Sequence, residues 1–219
     1  MYDSFFAYKL LKRTKNRSTA TLSCFFIFYA LALILAIISI ILANTPFAYL
    51  CYLIAFFTLI FAQSFIVVFS WLMVNIDKKI PRKIYFLGIL IYGIVSTYVF
   101  WIGIFFEGIR YDSGTNWIPV FNWAFLFISY SYVTIFLIVP EIILALKLKH
   151  IFGGLSLIRR IRLFIISVFL EFIVILLIVL YNTWINNYPV LMVIYSFIMP
   201  PLGTLAAYFI YKSFGKELE

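Results

Sequence analysis

Six runs of apolar residues divide the chain, separated by short polar or charged segments. They cover about residues 20–43, 47–74, 84–106, 119–146, 163–183 and 189–211, and each has the ~20 residues that a helix needs to cross a bilayer. The first run is apolar on every side, the mark of a helix that faces lipid or packs without polar contacts. Asn44-Thr45-Pro46 then reads as a tight turn, with Pro46 opening the next helix. Within the later runs the polar residues keep helical spacing. Tyr52, Gln63 and Ser70 share one face of the second helix, and Tyr85, Gly88, Tyr92 and Ser96 line up on the third. Gly88, Gly93 and Gly103 leave room for a close neighbour. The fourth run carries a stripe of Tyr130, Thr134 and Glu141, and the fifth places Ser167 and Glu171 one turn apart. Pro200-Pro201 interrupts the sixth, with Gly203 close behind. Two prolines remove two backbone donors, so a kink near mid-membrane is expected.

Residues 1–19 form a basic N-terminal segment. Phe5, Phe6, Lys9, Leu10 and Arg13 follow helical spacing there and predict a short interfacial helix. Residues 212–219 form a short tail.

Composition narrows the class. The chain is 66% hydrophobic and 11% charged, with mean hydropathy +1.11, whereas soluble domains are about 25% charged. Charge then sets the orientation. The net charge of +9 is not a nucleic-acid signature, because all but one of the 17 Lys and Arg residues lie in four segments between or beyond the apolar runs. With six spans these segments fall on one side, and only Arg110, in the 107–118 loop, falls on the other. The excess predicts that both termini are cytoplasmic. The chain reads as an all-α integral membrane protein of the plasma membrane, a six-transmembrane-helix bundle over residues 20–211.

Glu141 and Glu171 are the only acidic residues inside the apolar runs, and an intramembrane ionisable group is a functional-site hypothesis by default. Counted from the basic ends of their helices, Glu141 lies ~7–8 Å and Glu171 ~12 Å deep, on adjacent antiparallel spans. They are expected to approach one polar pocket, with Tyr130, Thr134, Gln63 and Ser70 in support. The competing reading has Glu141 reaching back toward Lys147 and Glu171 hydrogen-bonded between helices. Between these spans, Lys147, Lys149, Arg159, Arg160 and Arg162 flank Gly153-Gly154. This basic surface suits anionic lipid headgroups, a cytoplasmic or membrane protein partner, or a second copy of the chain.

Several chemistries fail for want of residues. Cys24 and Cys51 give no disulfide framework, and a single histidine, His150, rules out any site that needs several imidazoles, such as a bis-His haem or a His-rich metal centre, and no metal ligands are expected. There is no Gly-x-Ser-x-Gly and no His-Glu-x-x-His. Neither a catalytic residue nor a cofactor is expected, and the chain does not read as an enzyme.

The second half, from Phe121 through Tyr130, Tyr132 and Pro140 to Arg159-Arg160-Ile161-Arg162, resembles the seven-helix membrane sensor domain of some histidine kinases. Met199-Pro200-Pro201-Leu202-Gly203 to Tyr208 is similar to the final helix of seven-helix receptors. The sequence departs from that pattern in having one helix fewer, no kinase domain, and Asn75-Ile76-Asp77 where Asp/Glu-Arg-Tyr would close a helix. The resemblance implies a sensing role and assigns no residue. Two functions are therefore expected to compete: a receptor-like or accessory membrane module acting through helix contacts and its basic surface, and a small transporter or permease subunit moving an ion, proton or small solute past Glu141 and Glu171.

Overall fold

The structure, a computed structural model, describes residues 2–13, 16–152, 155–185 and 190–215. Among the described residues the protein is all-α apart from one two-stranded ribbon. Helix α1 spans Tyr2–Arg13, α2 Arg17–Ile41, α3 Pro46–Val74 and α4 Arg82–Phe105. Helices α5 (Trp123–Tyr132) and α6 (Val139–Ile151) are joined end to end by a π-helical stretch, Val133–Ile138. Then come α7, Leu155–Trp184, and α8, Val190–Ile210, which runs into a π-helical end at Tyr211–Gly215. Among the described residues, five helices are long and apolar enough to cross a membrane: α2, α3, α4, the continuous α5–α6 helix, and α7 from Ile158.

Local chemistry sets the boundaries. Asn16 caps α2, its Oδ1 accepting from the Thr19 backbone N–H at 2.8 Å. Pro46 occupies the first turn of α3 after Asn44 at φ 75°. The fourth span starts later than its hydropathy suggests. Residues 119–122 belong instead to a cap on the far end of the bundle, where β1 (Ile109–Arg110) pairs antiparallel with β2 (Val120–Phe121), and Asn122 caps α5. Apolar content alone made this stretch look helical. Ile109, Tyr111 and Phe121 are buried and anchor the cap, with Tyr111 stacked on Tyr52 of α3. Gly108 is needed here, because a Cβ would stand 3.0 Å from Phe125.

Helix α8 runs on through Pro200 and Pro201 without interruption. Helices in apolar surroundings tolerate proline where neighbouring groups re-satisfy the backbone. The basic turn is shorter than expected. Helices α6 and α7 extend to Ile151 and from Leu155, which places Arg159, Arg160 and Arg162 on a helix; Gly153-Gly154 lies outside the described residues.

α3 is the central post. Of its most apolar window 78% is buried, against 17% for α4, which turns Phe86, Leu90 and Ile94 outward. The core beside α3 is largely aromatic, with Phe25, Phe26, Phe69, Phe125, Phe164 and Phe172 fully enclosed. The basic segments meet at one end of the bundle. The Arg17 guanidinium donates to the Ile80 carbonyl, and Phe214 packs edge-on against Phe69 and Phe164.

The N-terminal helix packs on the bundle. It folds back antiparallel along α2, burying Asp3, Phe6, Ala7 and Leu10 and leaving Phe5, Tyr8 and Leu11 outward. Phe6 packs edge-on against Phe26 and stacks on Tyr211 at 4.3 Å, so the two ends of the described chain are locked together.

Candidate functional site

Both intramembrane glutamates are completely buried, and they have separate surroundings. Glu141 faces α3, where Ser70 Oγ donates to its Oε1 at 2.7 Å, and it interacts electrostatically with Tyr92 of α4. Its Oε2 has no hydrogen-bond partner. Glu171 has other neighbours, lying close to Tyr29 of α2 and within electrostatic reach of Asp3 of α1. Neither of its oxygens completes a hydrogen bond, although the Tyr29 hydroxyl is turned toward them. The two acids thus have different neighbours, with no partner in common among the described residues.

Of the expected supporting residues, Ser70 serves Glu141. Gln63 is buried on α3 with both amide atoms unpaired. Tyr130 donates to the Leu176 carbonyl at 2.9 Å, tying α5 to α7 rather than reaching Glu171. Thr134 is exposed on the outer surface. The cause is the π-helical stretch between Tyr132 and Val139. A residue added to one helical turn rotates everything beyond it by about 100°, so a stripe calculated for an ideal α-helix breaks there.

The same stretch explains how α4 is held. Pro140 has no N–H to offer the carbonyl of Phe136, four residues earlier. The Tyr92 hydroxyl donates to that carbonyl at 3.0 Å, and Ser96 and Tyr132 share a hydrogen bond of 2.7 Å one turn further on. With the Thr21–Tyr85 contact at 3.0 Å, three hydroxyl contacts pin a helix with little buried apolar surface. Gly88, on the same stripe, approaches no neighbour.

The Asp3–Glu171–Tyr29 junction brings in two residues that hydropathy left out. Asp3 stands in the first turn of α1, where a carboxylate suits the helix dipole. Burial pushes its carboxyl above the usual range. Its signal was present in the sequence: Asp3, Phe6, Ala7 and Leu10 keep the spacing of one buried helix face. Tyr29 was hidden in a run that looked uniformly apolar. Gly203 of α8 completes the junction, since a Cβ there would stand 2.8 Å from the Tyr29 hydroxyl.

At the basic end, Lys147, Lys149, Arg159 and Arg162 are exposed, and Arg160 is half-buried and engaged. At the far end, Arg110 and Asp112 form an exposed ion pair at 3.6 Å beside an open hollow of about 730 Å³ that also touches Tyr49, Glu107 and Trp117. No group of three or more His, Cys, Asp or Glu that could hold a metal ion occurs among the described residues. Compared with protein-family models, curated proteins and solved structures, the chain matches none.

Proposed function

We propose that the chain is a receptor-like integral membrane module. In this reading α8 is the sixth span, both termini and the basic segments are cytoplasmic, and the state of a buried site is read by a protein partner at the basic end. One observation carries it, the seat of α1. This 12-residue helix brings Asp3 within electrostatic reach of the buried Glu171 and stacks Phe6 on Tyr211. A charge or ligand that changes Glu171 changes what Asp3 faces. The change then reaches the end of α8, which rests on Phe69 and Phe164 near the exposed Arg159 and Arg162. Such coupling needs an element with two arrangements that a site can bias. A short helix seated by a few side chains suits that role. The resemblance of the second half to a membrane sensor domain points the same way.

The transporter reading keeps one favourable observation, the unpaired oxygens of Glu171. Against it stand the separate surroundings of the two acids and the enclosed phenylalanines of the core. One experiment divides the two readings. Spin labels are placed at Tyr8 and Lys212, both exposed, in protein whose Cys24 and Cys51 are replaced by serine, reconstituted in liposomes. The receptor-like reading expects Glu171→Gln to shift the distance distribution at unchanged helical content, with no proton or cation flux above protein-free liposomes. An unchanged distribution rejects that reading, and a flux that Glu171→Gln abolishes installs the transporter in its place.

A further inference from the structure

A groove of about 480 Å³ opens sideways between α4 and α6, with α3 as its floor. Its walls are apolar: Val67 and Trp71 from α3, Leu87, Gly88 and Ile91 from α4, and Ile143 from α6. Leu87, Ile91 and Ile143 are each about half exposed. From Ile84 to Tyr92 along α4 the groove runs ~12 Å at 1.5 Å per residue, from near the basic end toward mid-bilayer. Gly88 adds to the space, because a Cβ there would meet nothing within 4 Å.

Charge identifies the occupant. Lys83 stands one turn before Leu87 on α4, and Lys147 one turn beyond Ile143 on α6, so each continues one wall of the groove toward the basic end. Both are exposed, with Lys78, Lys79 and Arg82 close in sequence and Asp77 as the acidic exception. An apolar slot of this depth beneath a cationic mouth fits one molecule class, a phospholipid with an anionic headgroup. We propose that this groove is a specific site for one acyl chain of an anionic phospholipid of the leaflet at the basic end, its phosphate held between Lys83 and Lys147. Site occupancy would brace α4, whose packing on the bundle is sparse, against α6. The inference is independent of the receptor-like reading.

Trp71 in the groove supplies the probe. The full chain, with Trp101, Trp117, Trp123 and Trp184 changed to Phe, is reconstituted with phosphatidylcholine and increasing fractions of lipid brominated on its acyl chains. Brominated phosphatidylglycerol should quench Trp71 at a several-fold lower mole fraction than brominated phosphatidylcholine. Lys83→Gln with Lys147→Gln should erase that difference while leaving quenching by phosphatidylcholine in place. Gly88→Leu, which fills the groove, should reduce quenching by both lipids at unchanged thermal unfolding. Equal quenching by the two lipids in the parent protein overturns the proposal. So does a preference that survives the double lysine change. A third overturning result is self-association, measured by cross-linking, that Gly88→Leu abolishes, since the groove would then hold a second copy of the chain.

Discussion

The contact between Tyr92 and Phe136 gives the sharpest single-residue test of the packing. Pro140 withholds a backbone donor from Phe136, and the Tyr92 hydroxyl supplies one at 3.0 Å. Tyr92→Phe keeps the ring and removes only the oxygen, so the Phe136 carbonyl loses this partner in apolar surroundings. Interhelical hydrogen bonds in membranes average ~0.6 kcal/mol and reach ~1.7, while a buried group left unsatisfied costs about 1–3 kcal/mol. The expected destabilisation is therefore about 1–2 kcal/mol. The decisive comparison is a double-mutant cycle with Pro140→Ala, which restores the N–H. In that background Tyr92→Phe should cost less than about 0.5 kcal/mol, and the difference is the coupling energy. Both are read from denaturant-induced unfolding in mixed micelles, followed by circular dichroism. A cost that is the same in the parent protein and in the Pro140→Ala background would refute the idea that the proline creates the need for the hydroxyl.

Other outcomes follow from the same contacts. Ser70→Ala should destabilise by about 1–3 kcal/mol by depriving the buried Glu141 of its donor, whereas Thr134→Val on the outer surface should change the unfolding midpoint little; equal effects would contradict the two placements. Asn16→Ala should cost about 1 kcal/mol through loss of the α2 cap, measurable in the same unfolding assay. Because burial raises the Asp3 carboxyl, the folded state holds that proton more tightly than the unfolded state. Its contribution to seating α1 is thus complete below about pH 4 and declines as pH rises through the raised value. A spin label at Tyr8 should become more mobile with rising pH, and Asp3→Asn should flatten the response.

Much of this architecture was legible in the chain. Apolar run length located the five helices long and apolar enough to cross a membrane, and Tyr85, Tyr92 and Ser96 of one stripe foretold which face of α4 meets its neighbours, because α4 is a regular helix over that stretch. What the pattern missed has local causes. The stripe Tyr130–Thr134–Glu141 failed because a π-helical stretch changes the phase between its members, and no propensity rule marks that stretch beyond Pro140. Residues 119–122 read as helix because their apolar side chains are buried in a cap rather than in a span. Asp3 and Tyr29 escaped notice because the residues that meet Glu171 come from α1 and α2, distant in sequence, and adjacency along the chain pointed to α5–α6 instead.

The seat of α1 is the centre of the account, and one measurement reaches it directly. Phe6 and Tyr211 are replaced by cysteine in protein lacking Cys24 and Cys51, and cross-linking by a short bifunctional maleimide, which spans the space left by the two rings, is followed in reconstituted vesicles. With the rings stacked 4.3 Å apart, the pair should link rapidly within one chain. A control pairing Tyr8, on the outward face of α1, with position 211 should remain unlinked. Failure of the Phe6–Tyr211 pair to link, or equal linking by the Tyr8 control, would show that α1 is not seated on the bundle and would remove the junction with Glu171.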